Sequence, residues 1–442
     1  MDKFFKISER GSNVRSEIVG GVTTFFAMAY IIFVNPGMLS QTGMDYSGVL
    51  LATCISAAIG CFLTALLANA PFAQAPGMGL NAFFTFTVCF GMGYTWQEAL
   101  AIVLLSGALF LIIAVSPLRS KIISSIPAFL KSAISAGIGL FIAFIGLLNV
   151  SLVGFGGGVP ALQFMVDDGT GNMVANTAGI LAIIGLLITA ILMAYKVKGA
   201  IVIGIIVTAI IGLPMGVTTI PESITMEGIS LSTVAFKLDF GGLFAKGILP
   251  LVTAVISFAL VDCFDTVGTL IGTAKNAGMT DKNGNLPGGD RALIADAIAT
   301  CCGACLGTST VTTFVESSTG ISEGARTGLS SVVVGVLFLA ACLLAPVAGI
   351  IPSAATAPAL IIVGVLMIRG ATEVNWGDFE EACPAFLTIA MMPFAYSISD
   401  GIGFGFISYS IIKLARGKAK DVPVLVYIIA VLFILKYVLT SI

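Results

Sequence analysis

Long apolar stretches follow one another along the whole chain, separated by short polar turns. A helix needs about 20 apolar residues to cross a bilayer. Fourteen stretches reach roughly this length, in two sets of seven. The first set lies near residues 17–37, 48–69, 72–91, 96–115, 128–149, 177–195 and 199–217, and the second near 247–272, 290–306, 308–327, 328–348, 354–371, 383–398 and 400–414. The pattern predicts an all-α polytopic membrane protein.

This segmentation divides the chain into five parts. They are a cytoplasmic N-terminus at 1–16, a seven-span unit at 17–217, an extracellular or periplasmic connecting loop at 218–246, a second seven-span unit at 247–416 and a C-terminal segment at 417–442. Within the last part, Val422 to Ile442 is apolar but carries Lys436 and follows a basic patch. We expect it to lie along the membrane surface rather than to form a fifteenth span.

Composition and charge agree with this segmentation. Of the residues, 57% are hydrophobic and only 10% are charged, with a mean hydropathy of +1.07, whereas ordinary soluble domains carry roughly 25% charged residues. In this arrangement, all but three of the 21 Lys and Arg residues fall on the same side of the membrane as the N-terminus of the chain. The exceptions are Lys237, Lys246 and Lys436. Because basic residues favour the cytoplasm, we expect a multi-pass protein of the cell (plasma or inner) membrane with a cytoplasmic N-terminus.

The third predicted span cannot be a regular helix throughout. Two prolines and two glycines fall between Pro71 and Asn81. Proline lacks a backbone donor, and glycine costs about 1 kcal/mol relative to alanine in a helix. We expect the helix to be broken here and a half-helix to run from Leu80 through Phe90.

The tenth predicted span is broken as well. It opens with hydroxyl and β-branched residues, Thr308 to Thr313, and then reaches Glu316 and Ser317. Irregular backbone survives at membrane depth only where it is buried in protein or lines a cavity. We expect an extended segment that turns into a half-helix near Glu316, with both half-helix N-termini, each carrying about half a positive charge, aimed at a ligand.

The two breaks occupy corresponding positions, the third span of each set of seven. Because seven is odd, two consecutive sets must have opposite orientations in the membrane. Inverted repeats with interrupted spans are typical of secondary transporters, whose sites lie between the broken helices. The sequence therefore predicts a transporter with its site at these two breaks.

Acidic residues cluster near the predicted breaks. Asp262 and Asp265 are three positions apart in the eighth span and are expected on one helix face with Glu316 nearby. An acid at membrane depth marks a functional site by default. The favoured role for Glu316, Asp265 or Asp262 is to carry a proton. Coordination of Na⁺ by these acids is less favoured. A third possibility is that one of them only braces a broken helix. Asp296 in the ninth span is expected to be such a brace.

Several enzymatic and metal-dependent functions have no recognisable motif. The chain contains no histidine, no phosphate-binding GxxxxGK[ST] loop and no G-x-S-x-G elbow. The Asp281 stretch lacks the glycine and the final acid of a calcium loop. Cys301, Cys302 and Cys305 are interpreted as small packing residues. We expect no enzyme activity, no cofactor, no metal site and no nucleic-acid partner.

Four motifs together resemble the AzgA-like purine permeases, which transport adenine, guanine and hypoxanthine and belong to the nucleobase–ascorbate (nucleobase:cation symporter) transporter superfamily. The resemblance extends over nearly the whole chain. The motifs are Gly21–Tyr30, Ala75–Ala82, Phe264–Thr269, and Gly307–Ser309 with Glu316-Ser317 and Arg326–Leu329. Phe314 departs from the family, which often has tyrosine at this place.

The resemblance implies a fold of two inverted seven-span repeats, with spans 1–4 and 8–11 forming a core domain and the others a gate domain. Spans 3 and 10 would begin as short strands. It also implies proton-coupled uptake of purine bases by an elevator-like movement of core against gate, driven by the proton gradient, and it admits a homodimer. The residues implied to bind the purine are Asn81, Asp265, Glu316, Asp262, Gly79, Leu80 and Ser317.

Other carriers stay open at this point. A uracil or xanthine carrier of the same superfamily is the first alternative, and it should show a different third-span motif. A Na⁺-coupled carrier or a channel on the same fold is the second. An anion site would prefer a neutral or cationic pocket, so the three acids argue against an anion carrier.

Overall fold

Helices make up most of the computed structural model, which describes residues 2–116, 125–156, 159–167, 172–220, 229–276, 278–279 and 286–440. Parts of the predicted connecting loop (221–228) and of the calcium-loop-like stretch (281–285) lie outside these ranges. The helices of the first half are α1 (Asp2–Phe5), α2 (Val14–Met28), α3 (Ile31–Leu39), α4 (Tyr46–Leu63), α5 (Met78–Ala82), α6 (Trp96–Val115), α7 (Ala128–Asn149), α8 (Thr177–Ala194) and α9 (Ala200–Gly212).

The second half repeats this helical organisation. Its helices are α10 (Ile248–Asn276), α11 (Gly289–Leu306), α12 (Ser317–Ser322), α13 (Gly328–Ala341), α14 (Ala345–Ala348), α15 (Ser353–Met367), α16 (Phe379–Phe394), α17 (Ile398–Ala415) and α18 (Val424–Thr440). Short 3-10 or π turns extend several of them, and α5 continues as a π-helix over Phe83–Gly91.

Six short strands form three antiparallel pairs. The pair β1 (Gln74–Pro76) and β6 (Val311–Thr313) joins the two halves of the chain. The other four strands lie between α7 and α8 as two hairpins: β2 (Val153–Gly156) with β3 (Val159–Leu162), and β4 (Met165–Asp167) with β5 (Met173–Ala175).

Each of the fourteen predicted spans coincides with a helical element, and most ends differ by only a few residues. Within the described ranges, eight helices are long and apolar enough to cross a membrane. Shorter apolar helices occur at Met78–Gly91, Ala200–Gly212 and Val424–Val438. The broken third span accounts for the first of these, because its N-terminal part is a strand.

The helices pack into two bodies. In the first, which we call the core, α2 and α4 pack on α13, and α6 packs on α10 and α11. In the second, the gate, α7 packs on α15 and α16, α8 packs on α9 and α15, and α16 packs on α17. This division matches the expected grouping of spans 1–4 with 8–11, and of spans 5–7 with 12–14.

The two broken spans meet at the centre of the core. Gln74 pairs with Thr313, Ala75 with Thr312, and Pro76 with Val311, and every residue of both strands is buried. Pairing satisfies backbone groups that have no helical partner at this depth. The expectation that spans 3 and 10 begin as short strands is therefore confirmed.

The first span is also interrupted, which the sequence pattern did not predict. Helix α2 ends at Met28 and α3 begins at Ile31, so Tyr30 lies at the junction. The span was expected to end near residue 37, and α3 continues through Pro36 to Leu39. Asn35 is buried and donates to Thr53 Oγ1 at 2.7 Å and to Thr308 Oγ1 at 2.9 Å, tying α3 to α4 and to the tenth span.

Helix α18 runs antiparallel along α17 and also contacts α10. Near its start, Tyr427 donates to the carbonyl of Ala419, just beyond the end of α17. Near its end, Lys436 forms a 2.7 Å ion pair with Asp400, in the first turn of α17. The surface position of this segment stays a prediction, because these contacts fix its place on α17 and not its place in the bilayer.

Candidate functional site

A cavity of about 510 Å³ lies between the core and the gate, next to the paired strands. On the gate side it is lined by the first turns of α7 and by the end of α15 with the turn that follows it. The core contributes Tyr30, Gly77, Met78, Gly79, Leu80, Phe264, Asp265, Thr312, Phe314 and Glu316, among others, and the gate contributes Lys131, Ser132, Ser135, Ile138, Val363, Met367 and Glu373, among others. Its volume falls within the range typical of small-molecule sites, roughly 300–1,000 Å³.

Glu316 is held in place on the cavity wall. It directly precedes α12, and the Tyr30 hydroxyl donates to its Oε1 at 2.7 Å. A carboxylate has acceptor positions beyond one hydrogen bond, so Glu316 keeps capacity for a ligand. Tyr30 reaches it because the break between α2 and α3 places the ring beside Phe314, with ring centroids 6.5 Å apart.

Asp265 provides the second carboxyl group on the core wall. It lies in α10, follows Phe264 directly and is half-buried at the cavity. Two of the three acids predicted together, one from α10 and one from the turn before α12, thus face one space, and their role in binding stays a prediction.

The start of α5 forms a third part of the core wall. Met78, Gly79 and Leu80 line the cavity, and the first-turn N–H groups of a helix have no partner within that helix. A Cβ on Gly79 would lie 2.6 Å from Ile138 Cγ2 of the gate, so a glycine is needed where the core and the gate come this close. Gly79 and Leu80 therefore line the cavity, and their contact with a ligand stays a prediction.

The second half-helix differs from the expectation. The N–H groups of Ser317, Ser318 and Thr319 donate to the carbonyls of Phe314, Val315 and Glu316. The start of α12 is therefore satisfied by its own preceding turn. The side chain of Glu316, rather than the helix end, is the polar group that the tenth span presents to the cavity.

Three predicted binding residues do not line the cavity. Asn81 is buried and accepts a hydrogen bond from Ser309. Ser317 is buried, donates to the Phe314 carbonyl at 2.6 Å and accepts from the Ala73 N–H at 3.0 Å. Both therefore hold the broken spans together rather than face the ligand space.

Asp262 is the third of these residues and lies inside the core. Its carboxylate accepts from Thr300 Oγ1 at 2.9 Å, and only 1% of the residue is exposed. Residues three apart on a helix point about 60° away from each other. This angle is large enough for Asp265 to face the cavity while Asp262 faces α11.

Asp296 has the geometry expected of a brace. It accepts from Gln74 Nε2 at 3.1 Å, from Thr313 Oγ1 at 3.0 Å and from Thr266 Oγ1 at 2.9 Å. These donors belong to β1, β6 and α10. One buried carboxylate thus links both strands to the helix that carries Asp265.

Sequence reasoning missed two contributors to the cavity. Tyr30 was seen only as the end of a motif, although its hydroxyl in an apolar span was an available signal. Lys131 was counted only as a cytoplasmic charge, although its place in the first turn of a span adjoins the membrane interior. Lys131 Nζ lies over the Phe264 ring, 5.3 Å from its centroid.

Comparison with known proteins places this architecture in a family. The model of the permease family matches residues 15–404. The chain belongs to the permease family. It is therefore a transporter rather than an enzyme, and the resemblance seen in the sequence motifs is confirmed.

Two relatives of the permease are similar over their full lengths. The adenine permease AdeP of Escherichia coli K12 is 42% identical, covering 99% of this chain and 96% of the relative. The guanine/hypoxanthine permease PbuG of Bacillus subtilis 168 is 41% identical, covering 99% of each.

The fold of the permease also matches a solved structure. The transmembrane domain of the cyanobacterial bicarbonate transporter BicA superposes with a TM-score of 0.65 at 16% identity, covering 88% of this chain and 97% of that domain. At this identity the match concerns the fold alone. It confirms the inverted-repeat arrangement of core and gate.

Proposed function

We propose that this permease takes up purine nucleobases, namely adenine, guanine or hypoxanthine, across the cell membrane. The observation that carries the proposal is the cavity between core and gate, where Asp265 and Glu316 face the start of α5. Relatives of nearly equal similarity, named as adenine and as guanine/hypoxanthine permeases, support the substrate class.

The chemistry of the cavity suits a purine. Its ring N–H and amino groups are donors, and the carboxylates of Asp265 and Glu316 are acceptors. Its ring nitrogens and carbonyl oxygens are acceptors, and the first-turn N–H groups at Met78, Gly79 and Leu80 are donors. Matching donors to acceptors excludes analogues that would leave buried groups unpaired.

The proposed mechanism is proton-coupled alternating access, in which the core slides against the gate in an elevator-like movement. The two carboxyl groups on the cavity wall supply positions where a proton can load with the substrate. The gate lining comes from the end of α7 that carries Lys131, which the positive-inside rule assigns to the cytoplasm, and we infer that this arrangement is the cytoplasm-facing state.

Radiolabelled purine uptake in a permease-deficient host tests this function. We expect saturable uptake that acidic external pH stimulates and a protonophore abolishes, with competition by adenine, guanine and hypoxanthine but not by uracil or xanthine. Glu316→Gln should largely abolish uptake, because an amide replaces one acceptor oxygen with a donor.

Each contrary result has a separate meaning. Uptake that persists without a proton gradient but requires Na⁺ would show that Na⁺, rather than the proton, is the coupling ion. Stronger competition by uracil or xanthine than by adenine, guanine or hypoxanthine would show that the protein is a uracil or xanthine carrier instead. Wild-type uptake in Glu316→Gln would remove Glu316 from the site.

A further inference from the structure

Lys131 links the two bodies of the permease. It belongs to the first turn of α7 in the gate, whereas Phe264 belongs to α10 in the core, and the ammonium lies 5.3 Å from the centre of the ring. Both side chains line the cavity. A cation within about 6 Å of an aromatic face is attracted by the ring quadrupole.

Charged and polar groups of several elements surround this contact. Asp265 follows Phe264 on α10, Glu316 faces the same cavity from the turn before α12, and Glu373 accepts a 2.5 Å hydrogen bond from the neighbouring Ser132. The gate thus places a cation on the wall that faces the two core carboxyl groups.

We propose that Lys131 is a positioning residue of the transport cycle, which stabilises the cytoplasm-facing state through its contact with Phe264. This inference rests on the proposed alternating-access function. Because the two partners lie on different bodies, a sliding movement of the core separates them. The contact therefore stabilises one end of the cycle and is lost at the other.

The size of the effect follows from the strength of the contact. Loss of a cation–π contact of ordinary strength changes the ratio of cytoplasm-facing to outward-facing molecules roughly two- to thirty-fold. The apparent affinity of a ligand equals its intrinsic affinity multiplied by the fraction of protein in the state that binds it. Loss of the contact should therefore improve the apparent affinity for external purine and weaken that for internal purine, and the ratio of the two affinities should shift by this factor.

Transport kinetics of the full-length protein in proteoliposomes test the inference. Lys131→Met removes the charge and keeps most of the stem, whereas Lys131→Arg keeps a cation that stacks on aromatic rings. We expect Lys131→Met to lower the KM for external adenine or hypoxanthine and to raise the KM for efflux, so that the ratio of the two KM values changes roughly two- to thirty-fold. Lys131→Arg should resemble the wild type, and Lys196→Met, at an exposed gate lysine, is the matched control.

A double-mutant cycle provides a readout that needs no substrate. In thermal unfolding of the ligand-free protein, Lys131→Met and Phe264→Leu should be non-additive. Additive effects, or KM changes in the same direction on both sides of the membrane, would overturn the inference. A wild type that transports no purine would instead overturn the proposed function and the transport role together, while the cycle would still report on the contact itself.

Discussion

The hydrogen bond from Tyr30 to Glu316 is the most specific interaction of the site at the scale of single residues. Tyr30 is only 2% exposed, so its hydroxyl has little alternative to this carboxylate. Hydrogen bonds to charged groups contribute about 1.5–3 kcal/mol. The bond therefore fixes the carboxyl group that we expect to contact the purine.

Tyr30→Phe removes this hydroxyl and keeps the ring. We expect purine binding to weaken roughly 10- to 100-fold, because Glu316 loses the donor that orients it. Equilibrium binding of radiolabelled hypoxanthine to the purified protein measures the change. Tyr46→Phe is the matched control, because the Tyr46 hydroxyl donates to the Ala348 carbonyl away from the cavity. Unchanged binding in Tyr30→Phe would mean that the orientation of Glu316 does not matter.

The two acids of α10 should respond differently to the same substitution. Asp265→Asn alters the cavity wall, and we expect it to weaken purine binding at least tenfold, or by about 1.4 kcal/mol. Asp262→Asn alters a carboxylate inside the core, and binding should change by less than about threefold while thermal stability changes. The same binding assay on both variants checks this, and equal losses would place Asp262 in the site after all.

At the scale of elements, the strand pair β1–β6 depends on a carboxylate that belongs to neither strand. Asp296→Ala leaves the buried donors of Gln74, Thr266 and Thr313 without this acceptor. Each unsatisfied buried group costs about 1–3 kcal/mol, so we expect unfolding in detergent at a clearly lower temperature. Asp296→Asn, which keeps one acceptor oxygen, should lose less.

A matched substitution separates this effect from general loss of charge. Asp239→Ala removes an acceptor from the exposed loop at Gly241, where surface changes usually stay within about 0.5 kcal/mol. Differential scanning fluorimetry of the three variants gives the comparison. If Asp296→Ala unfolds at the same temperature as Asp239→Ala, the strand pair does not depend on this brace.

The breaks of the third and tenth spans could be predicted because they are local properties. Proline and glycine between Pro71 and Gly79, and hydroxyl residues from Thr308 to Thr313, are incompatible with an ordinary lipid-facing helix whatever surrounds them. The direction of each side chain is a tertiary property. Asn81 turns to Ser309 and Asp262 to Thr300, and neither choice is visible from spacing along the chain.

At the scale of the whole molecule, the segmentation and the two bodies follow from apolar length and from the resemblance of the motifs. The contacts between the bodies do not follow, because they join residues that no periodicity relates. Lys131 is the clearest example. Its place in the sequence marks only the start of a span, and its partner Phe264 lies more than a hundred residues away.

A second contact between the core and the gate allows the strengths of two contacts to be compared. Lys198 of the gate and Glu323 of the core form a 2.7 Å ion pair, but their side chains are 58% and 31% exposed. Exposed ion pairs contribute about 0–1 kcal/mol and are screened by salt. We expect Lys198→Ala to change the rate of purine uptake by less than about fivefold, with the difference shrinking as ionic strength rises. Uptake assays at low and high salt measure this, and a salt-independent change of tenfold or more would show that this surface pair, rather than the contact inside the cavity, holds the two bodies in register.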